Sequence, residues 1–134
     1  MGESTGVLLI EDDTDVGLLL FDILTSHLDV SVSLVRHPTE IPADVRPTVI
    51  VTDLFGFAYY DRPTAIRQLE QLRRRFPGVP IVLVTAHAHA ARERDLLPAD
   101  AVMEKPFDVD ALAQLVLSFD LSRRSPAPDR LAEA

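Results

Sequence analysis

The sequence contains no cysteine. Disulfide bonds, thiolate zinc sites and cysteine nucleophiles are therefore excluded, and the absence fits a reducing compartment. Basic residues are also scarce, since 13 Lys and Arg stand against 21 Asp and Glu and give a formal net charge of -8. A nonspecific grip on the phosphate backbone needs clustered Lys and Arg, so direct binding to nucleic acid is not expected.

Long hydrophobic runs are absent as well. No apolar stretch approaches the roughly 20 residues that a membrane span needs. The first five residues lack the charged and apolar regions of a signal peptide. We therefore expect a cytoplasmic protein with no membrane partner. A length of 134 residues suits one domain with a single core.

Short apolar runs alternate with segments of helical periodicity. The runs are typical of fully buried parallel strands, and apolar residues spaced three and four apart indicate helices between them. Before the third run, three prolines leave room for at most one helical turn, at residues 43–46. The alternation predicts an α/β fold with a doubly wound, five-stranded parallel sheet flanked by helices, the second helix being short or absent. The predicted strands are residues 7–10, 30–35, 48–52, 81–85 and 101–103, and the other predicted helices are residues 14–28, 64–76, 88–97 and 108–121.

Charged residues stand where three of these runs stop. Asp12 and Asp13 follow the first run, Asp53 follows the third, and Lys105 follows the fifth. Open parallel sheets bind ligands beyond the carboxyl ends of their strands, so we expect these side chains to converge in one crevice. Crowded carboxylates need a cation between them or raised pKa values. Mg²⁺, which prefers hard oxygen ligands, is the natural candidate.

Asp53 is the central candidate for a nucleophile, because carboxylates can attack phosphorus and form aspartyl-phosphates. Lys105 and the hydroxyl of Thr85 stand at neighbouring strand ends, where they could stabilise phosphoryl oxygens. Taken singly, these residues have ordinary interpretations: Asp13 is most simply a helix N-cap, and Asp53 is a turn residue. Their joint occurrence at one edge of the sheet favours the functional interpretation.

These marks resemble the receiver domain of two-component response regulators, over about residues 6–121. The matching segments, in order and at compatible spacing, are Leu9-Ile10-Glu11-Asp12-Asp13, Asp53, Thr85-Ala86 and Lys105-Pro106-Phe107. The resemblance implies that Asp53 accepts phosphate from a histidine kinase or a histidine phosphotransfer protein, and that Thr85 and Lys105 contact the new phosphate. The Mg²⁺ ligands that it implies are the carboxylates of Asp12, Asp13 and Asp53 and the backbone carbonyl of Phe55.

The chain departs from the family's pattern in three places. The Met-Pro pair that usually follows the acceptor is replaced by an aromatic loop, residues 54–60. Val102 stands where the family commonly has a switching Tyr or Phe, three residues before the lysine. The glycine that usually precedes the fifth strand is replaced by Leu97-Pro98-Ala99. We therefore expect phosphorylation to be retained but signalled differently, through the loop aromatics Phe57, Tyr59 and Tyr60.

Three classes of function compete. The leading one is a stand-alone receiver that signals by contact with a downstream protein and catalyses only its own phosphorylation and dephosphorylation. The second is a phosphorylation-independent interaction module with the same fold. The third is a phosphatase of the haloacid dehalogenase type. The segment Asp13-Thr14-Asp15 of this chain faintly resembles the paired aspartates of those enzymes. A minority interpretation makes His87 and His89 a metal site or a proton relay.

Two further expectations concern assembly and chain organisation. Many receivers pair through their last helices, so the resemblance allows a homodimer, and the sequence leaves the oligomeric state open. Residues 122–134 contain two prolines and three arginines and are predicted to be a disordered tail or a linker stub.

Overall fold

The computed structural model describes residues 6–55 and 59–124. Strands and helices alternate along these residues, as expected for a parallel sheet built from crossover units. The strands are β1 (Gly6–Ile10), β2 (Ser31–Val35), β3 (Val49–Thr52), β4 (Ile81–Thr85) and β5 (Ala101–Glu104). The α-helices are α1 (Thr14–His27), α2 (Arg62–Arg75), α3 (Ala88–Arg92) and α4 (Val109–Arg124).

All five strands pair in parallel, in the order β2-β1-β3-β4-β5. This confirms the predicted doubly wound sheet. In this order β1 and β3 lie side by side, and their registers place Ile10 opposite Thr52. The chain leaves these two strands toward opposite edges of the sheet, which makes their carboxyl ends the topological switch point where such folds bind ligands. Residues 11–13 and 53 emerge there together.

The sheet has an apolar layer on each face. Alternate residues of a strand point to opposite faces, and the buried side chains separate into two clusters accordingly. On one face β1, β3 and β4 pack against α1 and α4, with buried residues Val7, Leu9, Leu20, Leu24, Val49, Val51, Val82, Val84, Leu112 and Val116. The other face carries Leu8, Ile10, Ile50, Ile81 and Leu83 against α2 and α3. Helices therefore cover both faces of the strands that carry the site residues.

Capping residues set where the first two α-helices begin. The Asp13 side chain accepts a hydrogen bond from the Val16 N–H at 3.1 Å, so α1 starts at Thr14 as predicted. Helix α2 begins at Arg62, two residues before the predicted start, because Asp61 accepts from the Thr64 N–H at 3.1 Å. Pro63 fits the first turn, where a backbone N–H has no helical partner.

The crossover between β2 and β3 forms a single hydrogen-bonded turn where the sequence predicted at most one, because the Val45 N–H donates to the Pro42 carbonyl at 3.3 Å. An additional 3-10 helix lies before it, at Pro38–Glu40. His37 caps this 3-10 helix by accepting from the Thr39 N–H at 3.2 Å, and Pro38 supplies a preset first residue. The expectation of a second helix that is short or absent is confirmed.

The segment before β5 is also less helical than predicted. Helix α3 ends at Arg92, and a separate 3-10 turn follows at Arg94–Leu96, in place of one helix over residues 88–97. Arg73 of α2 fixes the stretch that replaces the usual glycine. Its Nε donates to the Pro98 carbonyl at 2.7 Å, and its guanidinium pairs with Asp100 at 3.1 Å.

Helix α4 runs to Arg124, three residues beyond its predicted end at residue 121. The rest of the predicted tail, residues 125–134, lies outside the described part of the chain. No helix within residues 6–55 and 59–124 combines the length and apolar character that a membrane crossing requires.

Candidate functional site

Three carboxylates meet at the switch point between β1 and β3. Glu11 and Asp12 directly follow β1, and Asp53 directly follows β3. One oxygen from each lies within 4.8 Å of the others. The Asp53 N–H donates to the Ile10 carbonyl at 3.1 Å, so the pairing of the strands continues up to the acidic residues. The sheet itself therefore holds these side chains together.

Lys105 reaches into this acidic cluster from the end of β5. It is the sole lysine of the chain. Its Nζ donates to Asp53 Oδ2 at 2.9 Å and to Glu11 Oε1 at 3.1 Å. The Lys105 N–H also donates to the Thr85 carbonyl at 2.8 Å, which ties its backbone to the end of β4. Asp12, Asp53 and Lys105 thus converge in one crevice.

Burial makes the charges of this cluster interact strongly. The Glu11 side chain is 2% exposed, against 14% for Asp53 and 19% for Lys105. Burial, and then the charge of Asp53, raise the pKa of Glu11 from 4.5 to about 6. Burial disfavours the charge on Lys105, but the hydrogen bonds and charges of Asp53 and Glu11 outweigh it and raise the pKa of that amine. The ammonium is therefore held in its charged form between two carboxylates.

The acidic pair that faces Asp53 is Glu11 and Asp12, one residue earlier than the predicted pair. The Asp13 side chain caps α1. Among the residues that the structure describes, the carboxylates with metal-ligand spacing are those of Glu11, Asp12 and Asp53. The Asp13 N–H instead donates to Glu11 Oε2 at 3.2 Å. The signal that could have found Glu11 is its place directly after the last residue of a buried strand, where a side chain still belongs to the sheet.

Thr85 and Phe55 have specific partners of their own. Thr85 is fully buried at the end of β4, between the strands that carry Asp53 and Lys105, and its hydroxyl accepts from the His87 N–H at 3.0 Å. The Phe55 carbonyl accepts from Gln68 Nε2 at 2.5 Å, and the Phe55 N–H donates to Gln68 Oε1 at 2.9 Å. Gln68 was not among the predicted site residues.

The cluster has the donors that Mg²⁺ requires. The three groups with metal-ligand spacing, from Glu11, Asp12 and Asp53, are carboxylate oxygens, which are the hard ligands that this ion prefers. One ammonium stands against three carboxylates, so the site lacks positive charge when all three are ionised. Burial first, and then the charge of Asp53, raise the pKa of Glu11 within it. A divalent cation at the Glu11, Asp12 and Asp53 oxygens would correct the imbalance.

Comparison with known proteins shows that the chain is similar in sequence to part of two sensor proteins. It is 33% identical over 136 residues to the sensor histidine kinase GacS of Pseudomonas protegens, which covers 93% of the chain and 14% of that protein. It is 44% identical over 73 residues to the sensor protein GacS of Pseudomonas syringae pv. syringae, covering 52% of the chain and 8% of that protein. The chain thus spans 14% or less of these relatives. No family model matches it.

Solved structures decide the fold. The receiver domain of the Francisella response regulator 1452 superposes with a TM-score of 0.72 at 20% identity, covering 90% of this chain and 99% of that one. A response regulator receiver protein from Sinorhizobium medicae gives a TM-score of 0.70 at 23% identity, covering 90% and 98%. The chain has the fold of a response-regulator receiver domain. The acidic cluster and Lys105 lie at the carboxyl edge of this receiver fold.

Val102 lies in the core of this receiver fold. It is 8% exposed and packs with the cluster that includes Leu83 and Ala90. The aromatic ring expected at that position is therefore replaced by a small buried side chain. The structure describes the loop after Asp53 again from Tyr59 onward. Tyr59 is 87% exposed, and Tyr60 follows it.

Tyr60 joins the loop after Asp53 to the segment after β4. Its hydroxyl donates to Glu93 Oε1 at 2.8 Å, and Arg62 lies 3.4 Å from the other oxygen of Glu93. The ring of Tyr60 lies 6.5 Å, centroid to centroid, from that of His87, whose N–H bonds Thr85. A continuous set of contacts therefore runs from the Thr85 hydroxyl to Glu93.

The two histidines after β4 do not form a metal site among the residues that the structure describes. His87 precedes α3 and faces Tyr60, and His89 Nδ1 lies 2.9 Å from an Arg92 guanidinium nitrogen. The one group of described residues with metal-ligand spacing consists of carboxylates. The minority interpretation of His87 and His89 as metal ligands therefore has no support in the geometry.

A phenol titration tests the Tyr60 contact. Burial, followed by the hydrogen bond and charge of Glu93, raises the pKa of Tyr60 from 10.0 to about 12. The chain has two tyrosines, so Tyr59→Phe leaves Tyr60 as the single phenol. We expect its ultraviolet absorbance to titrate near 12 and to move toward 10 when Glu93→Gln is added. A midpoint near 10 in Tyr59→Phe, with the circular dichroism unchanged, would contradict the contact.

Proposed function

We propose that this chain is a phosphorylation-controlled receiver that accepts a phosphoryl group on Asp53. The receiver fold supports a receiver role in general. The observation that carries the specific proposal is the position of Lys105, whose Nζ lies 2.9 Å from Asp53 while Glu11 and Asp12 lie on the neighbouring strand end. This arrangement surrounds one carboxylate with the charges that phosphoryl transfer needs.

The proposed reaction is an in-line displacement at phosphorus. An Asp53 carboxylate oxygen forms a bond to the phosphorus of a phosphohistidine as the P–N bond breaks, and the imidazole nitrogen leaves with the electron pair and takes up a proton. Asp53 Oδ1 accepts from the Leu54 N–H at 2.7 Å, and Oδ2 accepts from Lys105. These two bonds orient the nucleophile. Hydrolysis of the acyl phosphate by water would return the carboxylate.

The proposed metal site consists of Glu11, Asp12 and Asp53, with the Phe55 carbonyl as a further ligand and Asp13 outside it as the helix cap. Mg²⁺, when bound, neutralises charge on the carboxylates and on the transferred phosphoryl group. Lys105 would then pair with the phosphoryl oxygens, and the Thr85 hydroxyl at the next strand end would donate to them. Both roles agree with the strand ends that carry these side chains.

The proposed phosphodonor is a histidine kinase or a histidine phosphotransfer protein. The sequence similarity to the sensor histidine kinase GacS of Pseudomonas protegens supports a histidine kinase in general. The output would be contact with a downstream protein or with a second copy of the chain. Turnover of phosphate esters is not proposed, because Asp13 and Asp15 lie at the start of α1 and outside the acidic cluster.

Intact mass after incubation with Mg²⁺ and a small acyl or amido phosphodonor tests the proposal. We expect wild type to gain one phosphoryl group, with none gained in EDTA. Asp53→Asn should gain none, because the amide cannot form an acyl phosphate. Asp44→Asn removes an exposed carboxylate from the loop before β3 and should behave as wild type. A gain in Asp53→Asn, or none in wild type with either the small donor or a histidine kinase, would overturn the proposal.

One observation favours a second candidate, a phosphorylation-independent interaction module. The buried Val102 cannot act as the aromatic switch that the family commonly carries at this position. Such a module would bind its partner with equal affinity as the wild type, phosphorylated or not, and as Asp53→Asn. A change in affinity on phosphorylation, absent in Asp53→Asn, would exclude this candidate.

A further inference from the structure

Gln68 of α2 bonds the backbone N–H and the backbone carbonyl of Phe55 with the two ends of its side-chain amide. Its Oε1 accepts the Phe55 N–H at 2.9 Å, and its Nε2 donates to the Phe55 carbonyl at 2.5 Å. Because the backbone N–H needs an acceptor and the carbonyl needs a donor, these two bonds allow only one orientation of the amide. Gln68 is half-buried on the helix face beside the core residues Ala65 and Leu69.

Packing of the neighbouring side chains anchors the Phe55 backbone beside Gln68. The side chains of Leu54 and Phe55 are each 6% exposed and belong to the core. The Phe55 ring also lies 5.6 Å, centroid to centroid, from the ring of His37. The N–H and the carbonyl of Phe55 belong to successive peptide groups, and Gln68 bonds one group of each. Turning the carbonyl away would break its bond to Nε2, so the carbonyl oxygen is held toward Gln68 in this structure.

We infer that Gln68 is a positioning residue that competes with the metal for the carbonyl of Phe55. The inference rests on the proposed function, in which that oxygen is a ligand of Mg²⁺ beside Glu11, Asp12 and Asp53. The Nε2 hydrogen and a cation both draw electron density from the carbonyl oxygen of Phe55, so each weakens the interaction of the other. Metal binding must therefore weaken or displace one hydrogen bond, and Gln68 lowers the metal affinity of the site.

Two substitutions at position 68 separate this role from simple support of the loop. Gln68→Glu keeps an acceptor for the Phe55 N–H but removes the donor to its carbonyl, and Gln68→Met removes both groups without adding charge. Gln71→Glu adds the same charge to the same helix at an exposed position three residues on. It is the matched control for the electrostatic effect of Glu at position 68.

Mg²⁺ binding by the full chain, titrated by calorimetry and by the carbonyl ¹³C shift of Phe55, is the test. We expect Mg²⁺ to bind Gln68→Met about threefold to tenfold more tightly than wild type, the range for loss of one ordinary hydrogen bond. Gln68→Glu should bind at least as tightly as Gln68→Met, and Gln71→Glu within about twofold of wild type. The Phe55 carbonyl shift should respond to Mg²⁺ in every folded variant.

The outcomes separate this inference from the proposed function. Equal or weaker Mg²⁺ binding in both Gln68 variants, with the wild type binding normally, overturns the competition alone. The same holds if the Phe55 carbonyl shift ignores Mg²⁺ while the Asp53 carboxylate shift responds. Absence of Mg²⁺ binding in the wild type and in every variant overturns both the inference and the proposed metal site. Faster amide hydrogen exchange at Phe55 in Gln68→Met than in Gln68→Glu would verify the hydrogen bond from the Phe55 N–H to the side chain at position 68.

Discussion

Lys105→Met is expected to lower the free energy of unfolding by about 3 kcal/mol at neutral pH, because removing one partner of a buried ion pair leaves the other charge uncompensated. The Nζ that is lost lies 2.9 Å from Asp53 and 3.1 Å from Glu11, whose side chain is 2% exposed. Methionine keeps most of the apolar stem, so the loss reports on the charge. Urea denaturation followed by circular dichroism measures it.

Two further variants identify the cause of that loss. Arg74→Met removes a positive charge from an exposed position of α2 and should change the stability by less than about 0.5 kcal/mol. In a Glu11→Gln background, Lys105→Met should cost less than in the wild type, because one of the two carboxylates that face the ammonium is gone. An equal cost in both backgrounds, or one below about 1 kcal/mol in the wild type, would show that Lys105 does not stabilise these carboxylates.

The sheet was predictable because its strands are buried on both faces. All residues of β3 and β4 are buried, and such strands are continuous apolar runs that are easily recognised in a sequence. The ends of helices were less predictable, since they depend on single hydrogen bonds. Asp61 moves the start of α2, and His37 starts a 3-10 turn that the prolines alone did not indicate.

The site was predictable where topology alone brings residues together. Asp12, Asp53 and Lys105 follow strands, and strand ends converge in any sheet of this order. Glu11 was missed because the acidic residues after it offered a simpler pair, although Glu11 directly follows the last residue of a buried strand and is itself buried. The partners Gln68 and Glu93 lie 13 and 33 residues from Phe55 and Tyr60, so their contacts depend on helix rotation and loop path. Neither leaves a pattern in the sequence.

Glu11→Gln is expected to become more stable relative to wild type, by about 2 kcal/mol, as the pH rises through the interval from 4.5 to 6. Burial and the charge of Asp53 raise the pKa of Glu11 to about 6, whereas the unfolded chain has the ordinary value of 4.5. The native state therefore favours the protonated carboxyl. The free energy of unfolding of the wild type falls as the pH rises from 4.5 to about 6, and the loss is complete above that pH. Glutamine does not ionise, so the variant escapes this cost.

The slope of the stability difference between Glu11→Gln and wild type against pH is the decisive quantity, because every other titrating group is common to both proteins. Glu11 accepts from Lys105 Nζ with one oxygen and from the Asp13 N–H with the other, and the single carbonyl of glutamine can serve only one of them. The lost hydrogen bond lowers the free energy of unfolding of Glu11→Gln by the same amount at every pH, so it does not change the slope. A flat difference between pH 4.5 and 6 would mean that burial does not penalise the Glu11 charge, and a falling one would mean that Lys105 outweighs burial. Glu104→Gln makes the same substitution at an exposed neighbouring position and should change the stability at neutral pH by less than about 0.5 kcal/mol.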